Sequence, residues 1–262
     1  MQNFNTLKFE INSGGIATIT LNRPDKLNAM NAEMRAEFGR LQTELVQNDA
    51  IKIVVFTGAG RAFSAGGDID FLDQDWTTPK FRRETQEFTG FFDSLEMLEK
   101  PVIAAINGPC TGAGLQITLS CDIRIASEKA TFGFRENLIG LIPGAGGCSR
   151  LVKLIGYGKA KELIFTGEMI PASEAQSIGL INRVVSHAEL LSESQKLAQH
   201  LLTRAPVALG LVKRILWNCV NVDMATGRAL ESLAQSILIK TDDHKEGLRA
   251  FREKRKPEFI GS

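Results

Sequence analysis

The chain has 262 residues, of which 44% are hydrophobic and 23% are charged, proportions typical of a folded protein with a large apolar core. Its formal net charge of +1 at pH 7 excludes the strong overall field with which basic proteins gather nucleic acid or a membrane surface. No apolar run approaches the roughly 20 residues of a membrane-spanning helix, and the polar residues 1–13 have neither a signal core nor a transit pattern. We therefore expect a cytoplasmic protein without nucleic-acid or membrane partners; a mitochondrial matrix location stays open if a targeting segment was removed.

Strands and helices alternate in the first half of the chain. Residues 16–21 (IATITL) and 51–57 (IKIVVFT) predict buried strands, and apolar residues recur at helical spacing between them, from Met30 to Leu45. The rhythm then repeats as helix 81–98, strand 101–106, short helix 113–120 and strand 121–126. This alternation predicts an α/β layered fold.

The second half is predicted to be mostly helical. Helices are expected at 159–166 and 171–178, each followed by glycine, and a last strand at 180–185. From about Glu189 onward the pattern is entirely helical, with apolar stripes that must be buried somewhere. We therefore predict a core over residues 1–195 and a helical region over 196–262 that contacts other subunits.

Several kinds of site are excluded by missing motifs. The glycine cluster at 144–147 lacks the GK[ST] of a nucleotide-phosphate loop, and no GxGxxG with a downstream acid is present. The three histidines, at positions 187, 200 and 244, lie in or just before the helical tail, which argues against Ser-His-Asp chemistry and a His-rich metal site. The four cysteines fit neither a CxxC metal spacing nor a disulfide framework, so we expect buried free thiols. Catalysis would have to use carboxylates and backbone groups.

Two glycine-rich turns follow predicted strands, at 61–69 (RAFSAGGDI) and 107–114 (NGPCTGAG). Each leads into a predicted helix, whose first N–H groups lack intrahelical acceptors and are favourable to negative charge. Two such donors converging on one oxygen would form an oxyanion hole. The turns could equally be ordinary tight connections, with Asp68 as a helix N-cap.

Five segments carry a resemblance to a known family. They are LNRPDKLNAM (21–30), FSAGGDI (63–69), KPVIAAINGPCTGAG (100–114), CDIRIASEKATFGFRENLIGLIPGAGG (121–147) and FREKRKPEF (251–259). Together they resemble the crotonase (enoyl-CoA hydratase/isomerase) superfamily, in register from about residue 7 to 259. The resemblance implies a spiral of ββα units with a C-terminal helical trimerisation region, an acyl-CoA thioester substrate, no metal or separate cofactor, and a homotrimer or dimer of trimers.

The resemblance also implies roles for individual residues. The N–H groups of Gly67 and Ala113 would form the oxyanion hole, although the family usually has glycine at position 113. The coenzyme A path would be lined by Lys26, Leu27, Asn28, Ala29, Ser64, Ala65, Gly66, Asp68 and Ile69. Phe251 and Lys254 would contact a coenzyme A bound by a neighbouring subunit. For Lys254 an alternative is a cation placed favourably near the end of a helix that Pro257 stops.

Two positions determine the expected chemistry. Hydratases of the family use two glutamates, and the second falls on Glu136, whose apolar neighbours are expected to raise its pKa. The first falls on Gln116, three residues after Ala113 and so on the same helix face. An amide can orient water but cannot accept a proton. We therefore expect Glu136 to act alone as acid/base, in double-bond isomerisation of enoyl-CoA.

Other functions stay open. A hydratase could use Glu136 with water held by Gln116, the GxGxQ pattern resembles carboxymethylproline synthases that form carbon–carbon bonds, and the scaffold could bind acyl-CoA or RNA without catalysis. Gly144 stands where some aromatic-acyl isomerases and dehalogenases carry aspartate, which argues against those reactions. Phe71, Leu72 and Trp76 are candidate walls of the acyl pocket, next to a segment at 73–80 predicted to be irregular.

Overall fold

The computed structural model describes residues 4–262, which form nine strands and ten α-helices. The strands are β1 Leu7–Ile11, β2 Ile16–Leu21, β3 Ile53–Gly58, β4 Val102–Ile106, β5 Cys110–Thr111, β6 Ile123–Ser127, β7 Thr131–Gly133, β8 Ile170–Pro171 and β9 Arg183–Val185. The helices are α1 Ala32–Gln47, α2 Ile69–Leu72, α3 Thr78–Met97, α4 Ala113–Leu119, α5 Gly147–Thr166, α6 Ala172–Ser177, α7 Leu190–Leu202, α8 Pro206–Cys219, α9 Met224–Leu238 and α10 Asp242–Glu253.

Six strands form the main sheet, in the order β1-β2-β3-β4-β6-β9. Only β1 and β2 pair antiparallel, and the other neighbours are parallel. Alternate residues of each strand point to opposite faces, so Val54 and Phe56 pack toward α1 and α3 while Ile53 and Val55 pack toward α7. Because helices cover both faces, the central strands are mostly apolar, and β4 (VIAAI) is apolar throughout.

The parallel strands β3 and β4 end at the same edge of the sheet and deliver the two glycine turns side by side. Asn107, directly after β4, donates from Nδ2 to the carbonyl oxygens of Gly60 and Ala62 in the other turn, at 3.0 and 3.2 Å. The Thr111 N–H donates to the Ser64 carbonyl at 2.9 Å. The juxtaposition of the two turns follows from strand order and these bonds.

The predicted alternation of strands and helices is confirmed, with several differences in extent. The strand β1 and the small sheet β5-β7-β8 were not predicted from the sequence, because segments of two to five residues carry too little periodic pattern. Helix α5 begins at Gly147, twelve residues before its predicted start, and is interrupted at Gly156. The segment predicted as irregular is helical from Thr78.

The helical tail is more closely joined to the core than the sequence suggested. The proposed boundary at residue 195 falls inside α7, and residues Leu190 and Ala198 of that helix pack in the apolar cluster on the second face of the sheet. Helix α8 is also tied to the core, since Lys213 donates to the Leu95 and Lys100 carbonyls, and the division into 1–195 and 196–262 stays a prediction.

The cysteines are free, as expected, but not all are buried. Cys110 and Cys121 are buried, and burial raises the pKa of Cys121 to about 12. Cys148 is exposed and Cys219 is half-buried, so the expected burial is wrong for Cys148. Within residues 4–262, no helix combines the length and apolarity needed to cross a membrane, and no cluster of His, Cys, Asp and Glu could hold a metal ion.

Candidate active site

A cavity of about 470 Å³ lies where the two glycine turns meet the segment that follows β7. Its walls are mainly apolar, with a few polar groups. Six of the residues predicted to form the site line it: Ala65, Gly67, Ile69, Ala113, Gln116 and Glu136. The two turns and the glutamate, far apart in sequence, are thus brought to one cavity.

Two backbone N–H groups of this cavity have no acceptor among the described residues. Met30 pairs with the residues on either side of Gly67, donating its N–H to Gly66 and accepting from Asp68, so the Gly67 N–H is left out of the pairing. Ala113 is the first residue of α4, and its N–H precedes the intrahelical ladder. These donors can stabilise negative charge on an atom that enters the cavity.

The two turns approach each other at Gly66. This residue has φ +96°, and a Cβ placed on it would lie 2.9 Å from the Thr111 carbonyl oxygen and 3.2 Å from the Ala113 nitrogen. Glycine is required here for both reasons, the left-handed backbone and the close approach of a second chain segment. The contact keeps the turn that carries Gly67 against the turn that carries Ala113.

The side chains of Gln116 and Glu136 are hydrogen bonded. Gln116 Nε2 donates to Glu136 Oε1 at 2.8 Å, and Gln116 Oε1 accepts from the N–H groups of Ala145 and Gly147 at 2.7 and 3.2 Å. The amide orientation follows from this network, because backbone N–H groups can only donate and must face the oxygen. Gln116 therefore presents only N–H donors to Glu136.

The second carboxylate oxygen of Glu136, Oε2, is buried and has no hydrogen-bond partner among residues 4–262. Burial raises the pKa of Glu136, and hydrogen bonds from its own backbone, from Gln116 and from Arg135 oppose the shift. A carboxylate with an unshared oxygen and a raised pKa is suited to taking up and returning a proton.

Comparison with known proteins agrees with this geometry. A family model described as "Enoyl-CoA hydratase/isomerase" matches residues 11–262. The chain belongs to the enoyl-CoA hydratase/isomerase family. It is 42% identical to a short-chain-enoyl-CoA hydratase of Clostridium acetobutylicum and 38% identical to a crotonyl-CoA hydratase of Syntrophomonas wolfei, each match covering 94% of both chains. The crystal structure of an enoyl-CoA hydratase from Bacillus anthracis superimposes with a TM-score of 0.94 at 36% identity, over 98% of this chain and 100% of that one.

Membership of the enoyl-CoA hydratase/isomerase family confirms the crotonase fold and makes the protein an acyl-CoA enzyme of that family. The predicted resemblance is thus correct over nearly the whole chain. The roles of individual residues and the particular reaction are taken up as proposals below.

Two residues expected along the coenzyme A path of this family member are inaccessible instead. Asn28 and Ser64 have no exposed surface. The Asn28 side chain donates to backbone carbonyls of Ala59, Ala62 and Phe63, and Ser64 Oγ donates to the Asn28 carbonyl. In this structure both side chains fix the loop that carries the site, and their predicted contact with coenzyme A stays a prediction.

The other residues predicted for the coenzyme A path are divided between surface and interior. Lys26 is exposed, and Leu27 and Ala29 are half-buried beside the same loop. Asp68 is nearly buried, caps α2 through the Asp70 N–H and forms an ion pair with Arg23 at 2.7 Å. The N-cap role of Asp68 that the sequence left open is therefore what the structure shows.

Phe251 and Lys254 lie on or just after α10, away from the cavity of their own chain. Phe251 is 84% exposed, and Lys254 ends α10 in the left-handed conformation with φ 54°. The expectation that they contact a coenzyme A held by a neighbouring subunit stays a prediction.

The walls of the cavity differ in part from those predicted for an acyl pocket. Leu72 lines the cavity, as expected, but Phe71 and Trp76 do not; these two rings pack on each other with centroids 5.1 Å apart. The lining residues that sequence reasoning missed include Arg35, Phe81, Thr85 and Phe88. These four lie on α1 and α3, and only the packing of these helices reveals which of their faces meets the cavity.

A network behind the site was also missed. Arg150 Nη1 donates to the Ala145 carbonyl at 3.1 Å, and its other terminal nitrogen forms ion pairs with Asp93 and Glu96 of α3. Since the Ala145 N–H holds Gln116, Arg150 supports the amide orientation through the backbone. Sequence distance between these residues hid the connection.

Proposed function

We propose that this protein moves the double bond of a 3-enoyl-CoA thioester to the 2-position, with Glu136 as its single acid/base. The observation that supports this choice is the orientation of Gln116, whose oxygen is held by two backbone N–H groups. An amide held in this way cannot take a proton from water. One carboxylate is enough for isomerisation, because the same proton is removed and then returned.

In the proposed reaction, Glu136 Oε2 removes a proton from C2 of the acyl group. The electron pair moves toward the thioester carbonyl, and the oxygen that becomes negative accepts hydrogen bonds from the N–H groups of Gly67 and Ala113. Each such donor is typically worth about 100- to 1000-fold in rate. The protonated Glu136 then returns the proton at C4, which leaves the double bond between C2 and C3 and the carboxylate restored.

Hydration of a 2-enoyl-CoA is the second candidate function. It is favoured by the names of two relatives, a short-chain-enoyl-CoA hydratase and a crotonyl-CoA hydratase. Gln116 could donate a hydrogen bond to a water molecule beside Glu136. Glu136 would then have to act first as the base and afterwards as the acid. The loss of one positioned acid/base group lowers rates by about 100- to 10,000-fold, so we expect hydration to be the slower reaction.

The two reactions can be separated by incubating the purified protein with 3-hexenoyl-CoA and with 2-hexenoyl-CoA and following the products by mass spectrometry. Isomerisation leaves the mass unchanged and is followed by chromatographic separation of the two isomers before mass detection, whereas hydration adds the mass of one water. We expect a higher kcat/KM for isomerisation. Faster hydration of 2-hexenoyl-CoA would favour the second candidate, and no turnover of either thioester would contradict both.

The acid limb of the activity profile gives a further prediction. Because burial raises the pKa of Glu136 and the reaction begins with its carboxylate form, kcat/KM should fall as the pH drops through that raised pKa. The midpoint should lie above about 4.3, the value for an unperturbed glutamate. A profile that stays flat down to that pH would contradict the role of Glu136.

The contact at Gly66 provides a test of the two backbone donors. Gly66→Ala should lower kcat/KM by about 100-fold, because the new Cβ would push apart the turns that carry Gly67 and Ala113. The matched control is Gly39→Ala on α1, where an added Cβ meets nothing within 4 Å. The control should keep full activity, and full activity of Gly66→Ala would contradict the proposed pair of donors.

We also propose assembly as a trimer or a dimer of trimers. The support is a set of large apolar side chains exposed on or just after α8 and α9: Val212, Leu216, Trp217, Val220, Leu233 and Ile237. Analytical ultracentrifugation should give a mass of three or six chains. A stable monomer would contradict the proposal.

A further inference from the structure

Arg35 brings a cation into the wall of the acyl cavity. Its guanidinium carbon lies 4.2 Å from the ring centroid of Phe71 and 4.0 Å from that of Phe88. Stacking between two rings suits the planar guanidinium and restricts its orientation. The group is therefore held in place by α2 and α3 before any ligand binds.

The hydrogen-bonding capacity of Arg35 is largely unused within residues 4–262. Its one side-chain hydrogen bond runs from Nε to the Met30 carbonyl at 3.5 Å, which is long for such a bond. It forms no ion pair with a described carboxylate; the charge of Glu84 on α3 raises the pKa of Arg35 without reaching ion-pair distance. The four N–H bonds of its terminal nitrogens have no acceptor among the described residues, and the residue lines the cavity.

Arg35 stays charged at neutral pH. Burial lowers its pKa to about 10, which is still well above the physiological range. A partly buried cation among apolar side chains such as Leu72 and Phe81 is costly unless an anion or another acceptor pairs with it. The planar fork of a guanidinium matches a carboxylate with two parallel hydrogen bonds.

Among the described residues, the side chains that line the cavity carry more positive than negative charge, and the charge of Glu84 also acts on Arg35 from α3. The cavity lining contains two cations, Arg35 and Arg135, and one carboxylate, Glu136. Glu136 is hydrogen bonded to Gln116 of α4, whereas the Arg35 guanidinium stacks on Phe71 of α2 and Phe88 of α3, so the two groups are held by different elements of the wall. An acyl chain activated at Glu136 could thus carry its other end toward Arg35.

We propose that Arg35 binds a carboxylate at the far end of the acyl group, so that the preferred substrates are enoyl-CoA thioesters of dicarboxylic acids. This inference rests on the proposed function in taking the cavity as the acyl site, but it does not depend on which reaction Glu136 performs. It makes Arg35 a residue that determines substrate specificity.

The experiment is a binding measurement, so that it does not require turnover. The probes are the unreactive saturated thioesters adipoyl-CoA, its monomethyl ester and hexanoyl-CoA, and dissociation constants are measured by calorimetry with the full-length protein. We expect adipoyl-CoA to bind at least about tenfold more tightly than the two neutral thioesters, as a charge-assisted bidentate pair would require. Equal binding of all three by the wild type would overturn the inference.

Two variants assign any preference to Arg35. Arg35→Met keeps an apolar stem of similar length and should bind the three thioesters equally. Arg35→Lys keeps the charge but not the fork and should retain only part of the preference. A preference that survives Arg35→Met would overturn the assignment. If Arg35→Met fails to fold, the role of Arg35 is tested by the preference of Arg35→Lys and by the difference in wild-type binding between adipoyl-CoA and its monomethyl ester.

Failure of this inference is distinguishable from failure of the proposed function. Selective binding of adipoyl-CoA without turnover of any enoyl-CoA would contradict the proposed reaction and leave the role of Arg35 intact. Turnover of 3-hexenoyl-CoA with equal binding of charged and neutral thioesters would support the proposed reaction and contradict the role of Arg35.

Discussion

Replacing Glu136 with glutamine should lower kcat/KM for 3-hexenoyl-CoA by about 100- to 10,000-fold, the range typical for loss of a positioned acid/base. The variant keeps the shape of the side chain and can still accept the hydrogen bond from Gln116 Nε2, which measures 2.8 Å in the wild type. Binding of hexanoyl-CoA should therefore change little. Stopped-flow turnover together with calorimetric binding checks both halves of this expectation.

The stability of the same variant supplies its control. Because burial raises the pKa of Glu136, the folded protein binds this proton more tightly than the unfolded chain does. The resulting contribution to stability is complete below the unfolded pKa of about 4.3 and is lost as the pH rises through the folded value. The melting temperature of Glu136→Gln relative to wild type should therefore rise from low to neutral pH. An inactive variant that melts far below wild type at neutral pH would show misfolding rather than lost chemistry.

Replacing Gln116 with glutamate should have the second large effect, an increase in hydration of 2-hexenoyl-CoA by about 100-fold or more. One oxygen of the new side chain can still accept from the N–H groups of Ala145 and Gly147. The other oxygen would take the place of the amide nitrogen, which in the wild type lies 2.8 Å from Glu136 Oε1. Two carboxyl groups so close share one proton, which provides the base and the acid that hydration needs.

The matched control is Gln116→Met, which keeps the volume but removes every hydrogen bond of the side chain. It should show no gain in hydration, and a lower isomerisation rate because the loop at Ala145 and the Glu136 carboxylate both lose a partner. If the wild type hydrated 2-hexenoyl-CoA as fast as Gln116→Glu does, the interpretation that the Gln116 amide limits the hydration rate would be contradicted.

The central strands and the main helices could be predicted from the sequence because burial on both faces imposes a clear pattern. Strand β3 begins with four consecutive apolar residues, and α1 shows apolar side chains at helical spacing from Met34 to Leu45. The strands β5 and β8 have two residues each, so their pairing with β7 is decided by contacts between distant segments. Such short pieces carry no local signal.

The candidate site likewise has some features that the sequence predicts and others that only contacts between distant segments decide. The glycine turns, Glu136 and the unusual Gln116 were visible as motifs, since each depends on residue type at a fixed position. The burial of Asn28 and Ser64 could not be predicted from the sequence, because the residue type of a polar loop side chain does not show whether it faces a ligand or holds the backbone. Arg35 was overlooked for a related reason, because the two aromatic rings on which its guanidinium stacks, Phe71 and Phe88, belong to two other helices.

The sequence by itself determined the family, the order of the main elements and which groups are available for chemistry. Only the tertiary structure decided which way the Gln116 amide faces, that one buried oxygen of Glu136 has no partner among residues 4–262, and that Arg35 lies in the wall of the cavity. The physical reason is that residue types fix what a group can donate, accept or bury, whereas hydrogen-bond direction and desolvation arise from neighbours tens of residues away in the chain.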